Sequence, residues 1–108
     1  MIFFKKSSTK VMKRMYEIDR SVKSFRRSVR SVAKRGYDMH KLEHTIDLLA
    51  SGQPMPPKYK DHPLKGNYKG YRECHVEGEG DWLLIYQKYD DRLILVLTAT
   101  GTHADLFE

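Results

Sequence analysis

Residues 82–98 read WLLIYQKYDDRLILVLT, and the fold turns on this stretch. Two runs rich in branched and aromatic residues, 82–89 and 93–98, flank the turn pair Asp90-Asp91, which is the signature of an antiparallel hairpin. The second run is apolar on both faces, so it is predicted to lie inside a sheet. Just upstream, Tyr71, Glu73, His75 and Glu77 alternate with Arg72, Cys74 and Val76, and Gly78 and Gly80 make a turn into Trp82. Three antiparallel strands in quick order follow. Glu73, His75 and Glu77 are expected to share a polar face turned away from the helices, and Cys74 to be a buried small hydrophobe. Gly101 is expected to break the last strand, and the tail THADLFE to form a capped turn or short helix bearing Leu106 and Phe107.

Working outward, Val22, Phe25, Val29, Val32 and Ala33 recur at helical spacing and predict an amphipathic helix capped by Asp19 or Ser21 and ended by Gly36. Asp38 is placed to cap a second helix, with the stripe Leu42, Ile46 and Leu49, ended by Gly52. The short connection predicts antiparallel helices. Before them, Tyr16 and Ile18 alternate with Glu17 and Asp19 as a short edge strand. Residues 53–70 carry four prolines and exclude helix, while Tyr59, Leu64 and Tyr68 suit a loop packed onto the domain. The fold class is therefore α+β: an N-terminal strand, then two antiparallel helices packed on a small antiparallel sheet. Residues 1–14 show no sustained period and are assigned to an extension outside the core, leaving residues 15–108 as one domain.

Net charge is +6, unevenly spread. Residues 1–35 hold 12 Lys/Arg against 2 Asp/Glu, and residues 36–108 hold 8 against 12. A basic first third suits an anionic partner, nucleic acid or an acidic protein. No apolar run approaches the roughly 18–20 residues of a membrane-spanning helix, so no membrane partner is expected. The N-terminus runs from apolar to basic, the reverse of a secretory signal, and the single cysteine forms no internal disulfide. Both features predict a cytoplasmic protein.

His62, in the proline loop, His75, on a strand, and His103, past the last strand, lie far apart in sequence but within reach of one another in a meander. Imidazole moves protons near neutral pH without metal help. Cleavage of RNA needs a base for the 2′-OH, a cation for the phosphorane-like transition state and an acid for the 5′-oxygen. Tyr68, Tyr71 and Trp82 have rings able to stack on bases or to fill a core. His40 and His44 are read as surface positions on the second helix. They are also spaced to face one metal, but the close ligand pairs of zinc sites, C-x-x-C or H-E-x-x-H, are absent, so no metal or other cofactor is expected. No P-loop, dinucleotide fingerprint or G-x-S-x-G occurs.

The segments KYKDHPLKGNYKGYRECHVE, DWLLIY and TGTHADLF resemble, in order and spacing, the YafQ type of toxin within the RelE/ParE superfamily. The resemblance covers residues 15–108 and is strongest from Tyr59 on. It implies a RelE-like fold and a metal-independent ribonuclease of a type II toxin–antitoxin system, acting on messenger RNA in the ribosomal A site. The implied partners are ribosome, mRNA and an acidic DinJ/RelB-like antitoxin, with operator DNA reached only through the antitoxin complex. The matching positions are His62, His75, Asp81, Trp82, His103 and Phe107. By resemblance His103 is the general acid, Asp81, His62 and His75 share the 2′-OH proton and the phosphate, and Trp82 and Phe107 support or stack on substrate. Arg26, Arg27, Arg30 and Lys34, on the basic helix, are expected to dock on RNA. Gly78, Glu79 and Gly80 stand where the family runs through one proline, and they lengthen the turn before Asp81.

Two other classes fit less of the chain. A ParE-type gyrase inhibitor would share the fold but lacks the histidine set. A plain basic nucleic-acid-binding module explains the first helix alone.

Overall fold

The apolar stripes at helical spacing and the alternating C-terminal runs assemble as two helices on one sheet. The computed structural model describes residues 13–78 and 80–108; most of the N-terminal extension, residues 1–12, lies outside the described residues. Strand β1 (Glu17–Asp19) leads into helices α1 (Lys23–Lys34) and α2 (Met39–Ala50). The proline loop contributes a two-residue strand, β2 (His62–Pro63), and strands β3 (Arg72–His75), β4 (Leu83–Tyr89) and β5 (Ile94–Gly101) complete the sheet. A short helix, α3 (His103–Phe107), ends the chain.

The five strands run in the order β1-β5-β4-β3-β2. Every pairing is antiparallel except that of β1, the first strand, which lies parallel to β5, the last. The apolar run 93–98 is interior as expected, but the strand continues to Gly101.

The core forms where α1 and α2 meet one sheet face. Phe25 and Val32 of α1, Leu42, Ile46 and Leu49 of α2, and Cys74, Leu84, Tyr86, Leu95 and Leu97 of the sheet are all buried. Ala33 is exposed and does not belong to the stripe. Asp38 caps α2, its carboxylate accepting the His40 amide at 3.0 Å. Neither Asp19 nor Ser21 caps α1: Val22 holds that position without a side-chain bond, and Asp19 instead accepts the Ser21 amide and hydroxyl at 2.8 and 2.6 Å.

Pairing of β1 with β5 stops at Val96, which leaves a free edge beyond it. Serines of α1 satisfy that edge: Ser24 Oγ donates to the Thr98 carbonyl at 2.7 Å, and the Thr100 amide donates to Ser28 Oγ at 3.0 Å. Between Ile85 and Tyr86 of β4 the register slips, their partners being Ala99 and Leu97, so β5 carries an extra residue, Thr98, at a bulge. In the proline loop Tyr59 is buried and Leu64 half-buried, as expected of a packed loop, while Tyr68 remains exposed.

Candidate active site

The ends of β3, β4 and β5 bring His75, Asp81 and His103 to one end of the sheet, because His75 pairs with Leu83 and Leu83 with Gly101. His75 Nδ1 lies 2.7 Å from the Gly80 carbonyl. A carbonyl only accepts, so Nδ1 carries the proton and Nε2 presents a lone pair in the neutral ring. Asp81 Oδ1 accepts the His103 main-chain N–H at 2.8 Å, which ties the turn before β4 to the start of α3. His103 is exposed, its ring centroid 5.1 Å from that of Phe107.

His62 sits on the β2 edge, opposite Glu73 of β3. Its Nε2 is 3.2 Å from Glu73 Oε2 and its Nδ1 3.0 Å from the Pro63 carbonyl. Both partners accept, so a protonated ring donates to both at once. The loop is anchored next door: Arg72 Nη2 reaches Asp61 Oδ2 at 3.0 Å, and the buried Tyr86 hydroxyl donates to Asp61 Oδ1. Burial, then the Asp61 carboxylate, push the Tyr86 hydroxyl well above its ordinary pKa, so it remains a donor.

Beside the histidines, Tyr68, Tyr71, Ile85, Leu106 and Phe107 line a concave pocket of about 260 Å³. Tyr68 meets Phe107 edge-on at 5.1 Å. Trp82 is not on this surface. It is 8% exposed, its Nε1 donates to Thr100 Oγ1 at 2.9 Å, and its ring takes the edge of Tyr37 at 4.9 Å. It supports the site from within, and stacking on substrate is closed to it.

Arg26, Arg27, Arg30 and Lys34 are all exposed, and no carboxylate pairs with them among the described residues. They do not form one patch. Arg27 flanks a groove toward α3 with Ser24, Ser31 and Thr100, whereas Arg26 faces the α2 side with Met39 and Glu43.

Two expectations about polar residues fail. Glu77 does not share the face of Glu73 and His75, because β3 ends at His75 and the chain turns through Val76–Gly78 with Glu77 at φ 53°. The Glu77 amide donates to Thr45 Oγ1 at 2.9 Å, and its carboxylate meets Nδ1 of His44, which is exposed as expected. Gly78 passes so close to the proline loop that a Cβ there would lie 2.8 Å from Lys58 Cγ. Glu73 is itself almost fully buried, which suits its bond to His62 but not a solvated strand face. Among the described residues no three His, Cys, Asp or Glu side chains converge as a metal site would require. No helix among them is long and apolar enough to cross a membrane.

A family profile described as the bacterial toxin of type II toxin–antitoxin systems, YafQ, matches residues 16–108. The chain belongs to the YafQ family. The mRNA interferase toxin YafQ of Escherichia coli strain K12 is 49% identical over 84 residues, which cover 77% of this chain and 87% of that relative. The YafQ-family fold is shared with the E. coli DinJ–YafQ toxin–antitoxin complex at a TM-score of 0.76 and 42% identity, over 87% of this chain and 99% of the other. A metal-bound toxin from Helicobacter pylori aligns at a TM-score of 0.72 and 39% identity, over 88% and 100% of the two chains.

Proposed function

We propose that this YafQ-family toxin is an mRNA interferase: an endoribonuclease that cleaves messenger RNA in the ribosomal A site by 2′-OH attack, without a metal. The observation that carries the reading is that His75, Asp81 and His103 lie at one end of the sheet, with His103 against Phe107 of an aromatic pocket and His62 on the β2 edge. The mRNA interferase relative at 49% identity supports the reaction class.

His75 Nε2, left with its lone pair by the Gly80 bond, takes the 2′-OH proton. The 2′-oxygen attacks phosphorus as the P–O5′ bond breaks. His62, held by Glu73 through Nε2, exchanges its Nδ1 bond to the Pro63 carbonyl for one to a non-bridging phosphate oxygen. His103 gives its proton to the departing 5′-oxygen. Products are a 2′,3′-cyclic phosphate and a 5′-hydroxyl. Asp81 holds His103 through its main chain, and Phe107 with Tyr68 and Tyr71 receives a base.

The exposed cations of α1 dock on ribosomal RNA, and an acidic antitoxin covers the same helix by charge complementarity; the similar E. coli toxin forms a complex with the antitoxin DinJ. Operator DNA is contacted only through that complex. The protein acts in the cytoplasm, where its substrate is. Incubation of a defined message with and without translating ribosomes tests this reading. Cleavage at A-site codons only when ribosomes are present is expected; equal cutting of naked RNA, or none in either case, contradicts it.

A further inference from the structure

Helix α3 has five residues and buries none of them, yet it carries His103 and Phe107. A helix this short has no stability of its own, so its end contacts fix where the His103 ring sits. One of those contacts reaches back to the C-terminal end of α1. Asp105 Oδ2 accepts the Thr102 amide at 2.9 Å and, at 2.6 Å, Arg35 Nη2 from the C-terminal end of α1. Asp105 in turn donates its amide to Thr102 Oγ1 at 3.1 Å, closing a capping box. It packs so tightly that a Cβ at Gly101 would lie 2.9 Å from Oδ2.

Arg35 is itself fixed from the core side. Its guanidinium lies 5.1 Å from the Tyr37 ring centroid, and Tyr37 stands edge-on to the buried Trp82 at 4.9 Å. A continuous chain therefore runs from Trp82 through Tyr37, Arg35 and Asp105 to the first turn of α3. Four exposed cations of α1, Arg26, Arg27, Arg30 and Lys34, have no such carboxylate among the described residues.

We propose that Arg35 is a positioning residue for His103, acting through Asp105 to hold the terminal helix in the orientation needed for proton transfer. The proposal rests on the reading of His103 as general acid. The competing role for Arg35 is direct binding of an RNA phosphate, since it lines the same groove as Ser24, Arg27 and Ser31.

The test uses the full chain with Arg35→Ala, Arg35→Lys, Asp105→Asn and the Arg35→Ala/Asp105→Asn double variant. Single-turnover cleavage is measured on saturating programmed ribosomes, ribosome affinity separately, and amide exchange of residues 103–107 in the free protein. We expect Arg35→Ala and Asp105→Asn each to slow cleavage about 10-fold through misplacement of the acid. Affinity should stay near that of the parent, and exchange in α3 should quicken. The double variant should be no slower than the worse single one, and Arg35→Lys should recover part of the rate. Weakened affinity with a normal rate at saturation assigns Arg35 to phosphate binding and overturns the proposal, as does unchanged exchange in α3. If the parent chain cleaves nothing, the functional reading falls, while exchange still decides whether Arg35 holds α3.

Discussion

The main-chain N–H of His103 donates to Asp81 Oδ1 at 2.8 Å, so the turn before β4 and the first residue of α3 are one unit. A carboxylate at a helix N-terminus is favourable on both hydrogen-bonding and dipole grounds. Asn offers the same oxygen without the charge. Asp81→Asn is therefore expected to keep more single-turnover activity than Asp81→Ala. His103→Ala is expected to lose about 10²-fold or more, the usual scale of acid–base catalysis, with ribosome affinity unchanged. Near-normal cleavage by His103→Ala on saturating ribosomes would remove it from the chemistry.

Trp82 and Phe107 are expected to separate cleanly. Trp82 is buried and hydrogen-bonded, so Trp82→Ala should cost about 3–5 kcal/mol in urea unfolding. Phe107 is half-buried at the pocket rim, so Phe107→Ala should leave the unfolding midpoint nearly in place and slow cleavage instead. The opposite pattern would return Trp82 to substrate contact.

Much of this arrangement was legible in the sequence. The meander, the two helical stripes and the cap at Asp38 follow from periodicity and local chemistry, which act within a few residues. What stayed hidden depends on distance or on local backbone. Glu77 leaves the strand face because the chain enters the left-handed region there, which alternation alone does not reveal. Trp82 goes inward because Thr100 and Tyr37, remote in sequence, offer it a partner and a surface. Arg35 reads as one more cation of a basic helix; only its Asp105 partner, 70 residues away, distinguishes it. The parallel pairing of β1 likewise depends on where two helices return the chain.

Charge reversal at Arg26, Arg27, Arg30 and Lys34 should weaken ribosome binding and flatten its salt dependence, with the rate at saturation nearly intact. An antitoxin bound to the toxin should protect amides in residues 20–35 from exchange. Equal salt slopes for variant and parent would mean that these cations are merely solvated.

Acid should loosen α3 before the core. The Thr102 amide first, and then Arg35, hold the Asp105 carboxyl below its ordinary 3.8. A folded-state value lowered in this way contributes stability above the ordinary value, and the contribution is lost as pH falls through the lowered one. In an NMR titration, the Thr102 amide signal should shift as Asp105 protonates, while core amides stay put. Simultaneous movement of core and α3 signals would contradict an independent latch.

The central claim is that side chains alone, His75, His62 and His103 with Asp81, cut the message by 2′-OH attack. Its most direct measurement is cleavage of a defined message on translating ribosomes, with the toxin stripped of metal and the ribosomes' own magnesium supplied at a fixed level. A chelator selective for transition metals is present, and both new ends are mapped chemically. Undiminished cleavage is expected, with 2′,3′-cyclic or 3′-phosphate on one fragment and 5′-hydroxyl on the other. Products ending in 5′-phosphate, or activity lost to the chelator and restored by adding a transition metal, would contradict it.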